Sequence, residues 1–552
     1  MNSKRRVLPA LVLMGTLVLS ACAAAPSPTS TAGAPATASP EAPSATGTPA
    51  APATATPGAP ATAPATTGAT PAGTAPSGTL TVAQQAILPR PDPYALTTNM
   101  EHSIVLSMYD PLSRVDEEGQ LTYYLAESYE PESETSWIVN LKPGVMWSDG
   151  TEFTADDVVF TIDRMRDPAT GTIWTAVYSY IESAEAVDSH TVRINTTRQV
   201  VNLPQDYGRM SMMPKAAFET MGADAFFQNP VTSGPFKFVE LVPGERFTLE
   251  ANMDYHLGPP RVQTLIFKQV PDPATRVAEA VTQASDIVFD IPPTEIPTIN
   301  DSGVAEVLSY PGVGRIVLEF AIATTPELED PRVREAAFLA IDAEAINDAI
   351  YDGAGGLQTG WLDRHTFGQN TTLVSHGYDP DRAQTLLADA GYPDGLAMPF
   401  TIRSPDGLLT EDVGLVVNDM LNAAGFITEF ETLEAAEFVE RTNDAAHVGL
   451  YMRGSRNSTG DPDQILRAYD PKREDKFLLD ETLEAMIDAQ ASEPDPVARA
   501  ALVAEVDAYI HNNFLGYNIL TWPGIEAVNN RVEGFIPSPF EVRWFHQVSV
   551  TE

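Results

Sequence analysis

The sequence predicts an α/β protein carried behind a long non-globular leader. Three observations predict it. Several short runs alternate apolar and polar residues at the two-residue strand period. Amphipathic stretches at helical spacing lie between those runs, and Asp-Pro or Thr/Asp cap signals mark where the helices begin. In the second half the two patterns alternate, which implies a wound sheet with helices on its faces.

The leader comes first. Lys4, Arg5 and Arg6 precede an apolar run, Leu8 to Val18, which is shorter than the ~20 residues a membrane span needs. The run ends at Leu19-Ser20-Ala21-Cys22, and Cys22 is the only cysteine in the chain. The tetrapeptide resembles the bacterial lipobox, so residues 1–22 are expected to be a lipoprotein signal peptide with lipid attached at Cys22. An ordinary secretory signal with an incidental cysteine is the alternative. Residues 23–78 are Ala, Pro, Thr, Ser and Gly with Glu41 as their one charge. Such a segment has too little apolar surface to offset chain entropy and is expected to be a disordered linker. Its prolines bias it toward polyproline II, giving a reach on the order of 150 Å when stretched.

The globular part follows. Thr79 to Val82 reads as a strand, and Trp137, Val139 and Leu141 alternate as another. Thr154 caps a helix whose apolar face is Val158, Val159, Ile162 and Met165, with Asp157 completing a capping box. Phe247 and Leu249, then Leu265, Phe267 and Val270, give two more strands. Asp330-Pro331 and Asp379-Pro380 each read as N-cap then first helical residue. Asp342 caps a helix that Gly353 ends, and Val413 to Ala424 forms a helix ended by Gly425. Ile427 to Leu433 is a strand, Glu434 to Arg441 a short helix and Val448 to Met452 an apolar strand. Asp480 to Ser492 and Asp495 to Asn513 read as paired helices.

Composition bounds the function. The 552 residues hold 33 Lys plus Arg against 75 Asp plus Glu, a net charge of −42. Removing Lys4, Arg5 and Arg6 from the 33 leaves 30 basic residues for everything after the leader. That balance excludes nucleic acid as a partner, because phosphate contacts need clustered cations, and it excludes adsorption to anionic lipid. One cysteine excludes a disulfide framework and a cysteine-cluster metal site. The eight histidines fall in no ligand spacing, so no resident metal and no cofactor are expected. There is no Walker A loop and no GxSxG elbow.

Four motifs in order then carry a family resemblance. Leu141-Lys142-Pro143-Gly144-Val145-Met146-Trp147-Ser148-Asp149-Gly150-Thr151, leading to Thr154-Ala155-Asp156-Asp157-Val158, resembles the signature region of family 5 extracellular solute-binding proteins. Ser233-Gly234-Pro235-Phe236, followed by Asn252-Met253-Asp254-Tyr255-His256, is similar to their glycine-proline turn, with Ser for Thr. Asp330 to Asp342 and Tyr378 to Tyr392 are similar to two of their helices. The resemblance implies a two-lobed periplasmic-binding-protein clamshell of type II, in the large form. Lobe I is expected at 79–314 and 525–552, with an extra subdomain at about 111–229, and lobe II at 315–524. It also implies a monomer that captures a peptide or other small polar solute by hinge closure and delivers it to the permease subunits of an ABC importer at the cell membrane, lipid-anchored on the extracytoplasmic face. Nothing in that task needs an enzyme. A nickel or other metal complex as solute stays open for the family, with His365 and His447 the nearest candidates and an ordinary surface or core histidine the alternative for each.

Other classes stay open at this point. A sensing lipoprotein acting through a membrane receptor fits the same residues. A hydrolase could pair two of the many carboxylates as acid and base, and a structural surface protein needs no ligand at all.

The candidate ligand-binding residues are Tyr109, Trp361, Arg403, Arg453, Arg456, Ser458 and Trp522. In peptide-binding relatives an Asp just before the Asp-Pro element holds the peptide amine. Counting back from Asp461-Pro462, that position is Ser458. A neutral hydroxyl cannot give the charge-assisted bond of a carboxylate. With Arg453 and Arg456 close by, the expected solute is held otherwise than by a free amine and carries acidic or hydroxyl groups. Trp361 follows a glycine-rich break suited to a cleft loop, and Arg403 ends a strand; a surface ion pair is its alternative role. For Tyr109 and Trp522 core packing is the alternative. Asp461 is expected to fix the loop.

Overall fold

The computed structural model describes residues 75–551, except 97–100, 118, 171, 173, 405–409, 444–446, 467–468, 470–477 and 479. The predicted signal peptide, Cys22 and most of the linker fall outside the described residues. No described helix is long and apolar enough to cross a membrane.

One eleven-stranded sheet runs through the molecule. Its order begins Phe426–Leu433, Leu396–Arg403, Leu450–Arg456, continues through two long strands, Ala305–Phe320 and Gly516–Asn529, and ends Ile287–Val288, Thr79–Gln84, Thr264–Gln269, Arg246–Ala251, Phe236–Val242. The short strand Gly356–Leu357 pairs with the second long strand. Parallel pairs flank Leu396–Arg403 and join Thr79–Gln84 to Thr264–Gln269, as wound βαβ units require. The two long strands are antiparallel to each other and belong to both halves of the sheet. They are the only elements of the large sheet that do so among the described residues, and they make the molecule a two-lobed clamshell.

Each half has its own apolar core. Ile316, Leu318, Phe400, Met452, Val503 and Leu520 belong to one. Leu80, Phe247, Phe267, Ile287 and Phe545 belong to the other. A third core, with Trp147, Phe153, Ile162 and Phe226, sits under a separate four-stranded antiparallel sheet. That sheet is ordered Ala126–Ser133, Ser136–Leu141, Thr191–Thr196, Ile181–Asp188.

The caps form where the sequence places them. Asp330, Asp342, Asp379, Asp480 and Asp495 each accept a backbone N–H in the first turn of the following helix. The Asp157 carboxylate takes the Thr154 N–H at 2.9 Å and also receives Lys215 N–H at 2.8 Å and Trp147 Nε1–H at 3.2 Å. The Ser233-Gly234 turn has an equally physical basis. Gly234 N–H donates to Met108 O at 2.7 Å, and a Cβ on Gly234 would lie 2.6 Å from the Met108 carbonyl carbon. The strand expected at Val448 to Met452 instead spans Leu450–Arg456, because pairing with Gly314–Phe320 extends it past the apolar run.

Candidate functional site

The long strands bend where the lobes meet. Their register shifts between Pro311 and Arg315. Within that irregularity Val313 N–H donates to Pro539 O at 3.1 Å, and Val313 O accepts from Asn457 N–H at 3.2 Å, so one residue ties the C-terminal return to the loop after Leu450–Arg456. The Trp522 ring lies against Gly314, where an added Cβ would come within 1.9 Å of it.

Beside this crossover lies a cavity of about 450 Å³. Val115, Gln205, Phe540, His365, Thr459 and Arg499 are among the residues that line it, drawn from widely separated parts of the chain. A pocket of about 30 Å³ shares Val115, Gln205, Thr459 and Phe540 with it and adds Arg114, Arg209, Ser458 and Ser538. A groove of about 520 Å³ between the helices Glu481–Ala491 and Pro496–Asn512 is lined by that helix pair alone. The first two spaces draw their lining from distant parts of the chain, as a ligand cleft does.

The residues singled out from sequence are distributed as follows. Ser458 lines the small pocket, and its Oγ accepts from Gln464 Nε2 at 3.1 Å. Arg456 gives its Nε–H to both carboxylate oxygens of Glu541, at 3.1 and 3.0 Å, and its guanidinium lies 4.5 Å from the centre of the half-buried Trp522 ring. Arg453 forks onto Glu319 at 2.7 and 2.9 Å; burial lowers its pKa, but Glu319 outweighs that and holds it above the usual arginine value. Arg403 is the half-buried last residue of its strand.

Trp361 is buried in the core of the second lobe, its ring 4.9 Å from the Arg315 guanidinium. Its backbone N–H donates to Asp507 Oδ1 at 2.8 Å, and burial pushes the Asp507 carboxyl up to about 6. Tyr109 is buried in the first lobe's core and donates to Pro91 O at 3.3 Å. The structure therefore brings Arg456, Trp522 and Ser458 to the lobe boundary and places Tyr109 and Trp361 within cores. His365 donates to the Pro311 carbonyl across 3.1 Å, and burial lowers its pKa. His447 is buried, stacked on Tyr451 at 4.9 Å. Neither belongs to a metal-holding group among the described residues.

Sequence reasoning passed over Arg209, Arg315, Arg499, Phe540 and Glu541. A signal existed for two of them: in a chain poor in cations, Arg209 and Arg315 interrupt apolar and glycine-rich stretches. Burial pushes the Arg209 guanidinium down to about 10, with Glu541 opposing the fall and Arg456 adding to it.

Comparison with known proteins agrees with this architecture. The family described as bacterial extracellular solute-binding proteins, family 5 middle, matches residues 120–477. The heme-binding protein A of Haemophilus influenzae is 26% identical over 466 residues, covering 77% of this chain and 83% of that protein. The dipeptide-binding protein of Escherichia coli is 24% identical over 463 residues, covering 77% and 85%. Among solved structures, HbpA2 from Haemophilus parasuis superposes with a TM-score of 0.77 at 23% identity, covering 86% of this chain and all of that one. With the family matched over well more than half its length and the clamshell in place, this chain belongs to the family 5 bacterial extracellular solute-binding proteins of ABC importers.

Proposed function

We propose that this chain is a lipid-anchored receptor on the extracytoplasmic face of the cell membrane, which closes on a small polar or peptide-like solute and hands it unchanged to the permease subunits of an ABC importer. The observation that carries this reading is the cavity walled from both lobes beside two crossing strands. Lipid on Cys22 tethers the protein, residues 23–78 act as the spacer, and the receptor works as a monomer. Lobe I comprises 79–314 and 525–552 with its subdomain at about 111–229, and lobe II comprises 315–524. Binding and release need no catalytic group.

The chemistry at the boundary supports an acidic or hydroxyl-bearing solute over a peptide held by its amine. Ser458 offers a hydroxyl at the small pocket, and Arg114 and Arg209 line the same pocket. Asp461, the carboxylate nearest that position in sequence, is engaged by Arg499 at 2.7 and 2.9 Å. Native mass spectrometry of gently purified protein should identify a retained solute bearing a carboxylate, phosphate or several hydroxyls. Calorimetry with unmodified di- to pentapeptides should show no tight binding; submicromolar affinity for them sinks the assignment of solute class. Tryptic mass spectrometry should find diacylglycerol on Cys22, and a processed chain without it removes the anchor.

A further inference from the structure

Two arginines approach the small pocket from opposite lobes. Arg209 comes from the first lobe, half-buried and lining the pocket. Arg456 ends the strand Leu450–Arg456 of the second lobe, two residues before the lining residue Ser458. Glu541, on the C-terminal return and next to the lining residue Phe540, accepts the Arg456 Nε–H with both oxygens.

Arg209 lies within electrostatic reach of both Arg456 and Glu541, and in a partly water-excluded space two guanidiniums repel more strongly than in water. Glu541 is the anion that meets them there. Its backbone is held at φ 62°, a left-handed conformation unfavourable for a residue with a side chain. Its carbonyl accepts Arg543 Nη1–H at 2.6 Å and its N–H reaches Ser538 O at 3.2 Å, so the surroundings impose this conformation. A side chain kept in an unfavourable backbone state at a moving boundary marks a functional constraint. Arg456 is also fixed by Trp522, the ring seated on Gly314 at the bend of the crossing strands, so its position is tied to the hinge.

We propose that Arg209 and Arg456 form an anion clamp between the lobes, that Glu541 is its resident anion in the absence of solute, and that an anionic group of the solute, a carboxylate or phosphate, enters beside or in place of Glu541 to hold the closed state. The clamp deepens the reading of an acidic solute and rests on it for the identity of the incoming group. Glu541 lets the lobes meet without cargo, and the solute's anion shifts the same equilibrium further because it contacts cations that only the closed form brings together.

The test reads lobe separation directly. Spin labels at Val239→Cys and Ile427→Cys, both exposed and on opposite edge strands of the large sheet, are placed in the full chain carrying Cys22→Ala. Without added solute, Glu541→Gln is expected to raise the ratio of open to closed molecules about threefold or more relative to the parent, as measured by pulsed dipolar spectroscopy. In the Glu541→Gln chain, millimolar glutarate restores the short distance and glutaramide does not. Arg209→Gln or Arg456→Gln, added to Glu541→Gln, abolishes the glutarate response. Arg209 and Arg456 are both half-buried, and either variant serves where the other fails to fold. Unchanged distances in Glu541→Gln overturn the clamp, as do equal effects of glutarate and glutaramide or no effect of glutarate. The arm without solute contains no cargo, so its failure is separate from failure of the solute assignment, which calorimetry with free-amine peptides decides.

Discussion

Arg499 forks onto Asp461, Nη1 to Oδ2 at 2.7 Å and Nη2 to Oδ1 at 2.9 Å, and both side chains are buried. The Asp461 carboxylate also receives the Asp463 N–H at 2.9 Å. Burial raises the Asp461 pKa and Arg499 opposes the rise, so the pair persists only as a pair. Replacing one partner strands a buried charge. Arg499→Met is expected to cost about 3–5 kcal/mol in urea unfolding. Adding Asp461→Asn should recover part of that loss. A single variant as stable as the parent contradicts a structural role for the pair.

The second expectation concerns Ser458. Its hydroxyl lies at the small interlobe pocket and is partnered by Gln464. Ser458→Asp places a carboxylate there, and a charge-assisted bond to an ammonium contributes about 1.5–3 kcal/mol. Affinity for free-amine dipeptides, read by calorimetry, should rise about tenfold or more over the parent. N-acetylated dipeptides should gain nothing. Equal gains for both peptide forms show that the site does not read the amine.

How much of this was legible beforehand follows from sequence distance. The Asp caps, the Asp157 capping box and the Asp-Pro helix starts are local, and the structure has them where the residues indicate. The two crossing strands follow from the family resemblance, through the lobe boundaries at 314/315 and 524/525, and not from the residues themselves, since nothing local tells Ala305–Phe320 that it pairs with Gly516–Asn529. The arginines show the same limit. Arg453 and Arg456 stand out in a chain poor in cations, yet their partners lie 134 and 85 residues away, at Glu319 and Glu541. The glycine-rich approach to Trp361 suggests a cleft loop, yet its ring packs beside Tyr469 and under Arg315 in the core.

Gly314 gives the third expectation. A Cβ there would fall 1.9–2.1 Å from three Trp522 ring atoms, so the ring must move. Gly314→Ala should destabilise by about 1–3 kcal/mol through overpacking. It should also release the Trp522 ring from Arg456, seen as a red-shifted, more quenchable tryptophan emission. Gly314→Ala with Trp522→Leu should regain most of the stability. An alanine variant with parental stability and emission shows that the two residues do not touch in solution.

The last expectation is a pH dependence. His376 and His511 stack at 4.0 Å, and their Nε2 atoms contact the carbonyls of His511 and Val374 at 3.2 and 3.1 Å. Burial, with His376 beside it, pushes the His511 imidazole down to about 4. An unfolded histidine takes its proton near pH ~6.5. Between about pH 6.5 and about pH 4 the unfolded chain therefore binds a proton that the folded chain refuses, and stability falls as the solution is acidified through that window. The expected loss is about 1–2 kcal/mol. His511→Gln keeps an amide donor for the Val374 carbonyl and cannot titrate. Its urea midpoint should drop less than the parent's between about pH 7 and about pH 4.5. Equal drops in the two proteins place the acid sensitivity elsewhere, in the carboxylates that the buried arginines hold.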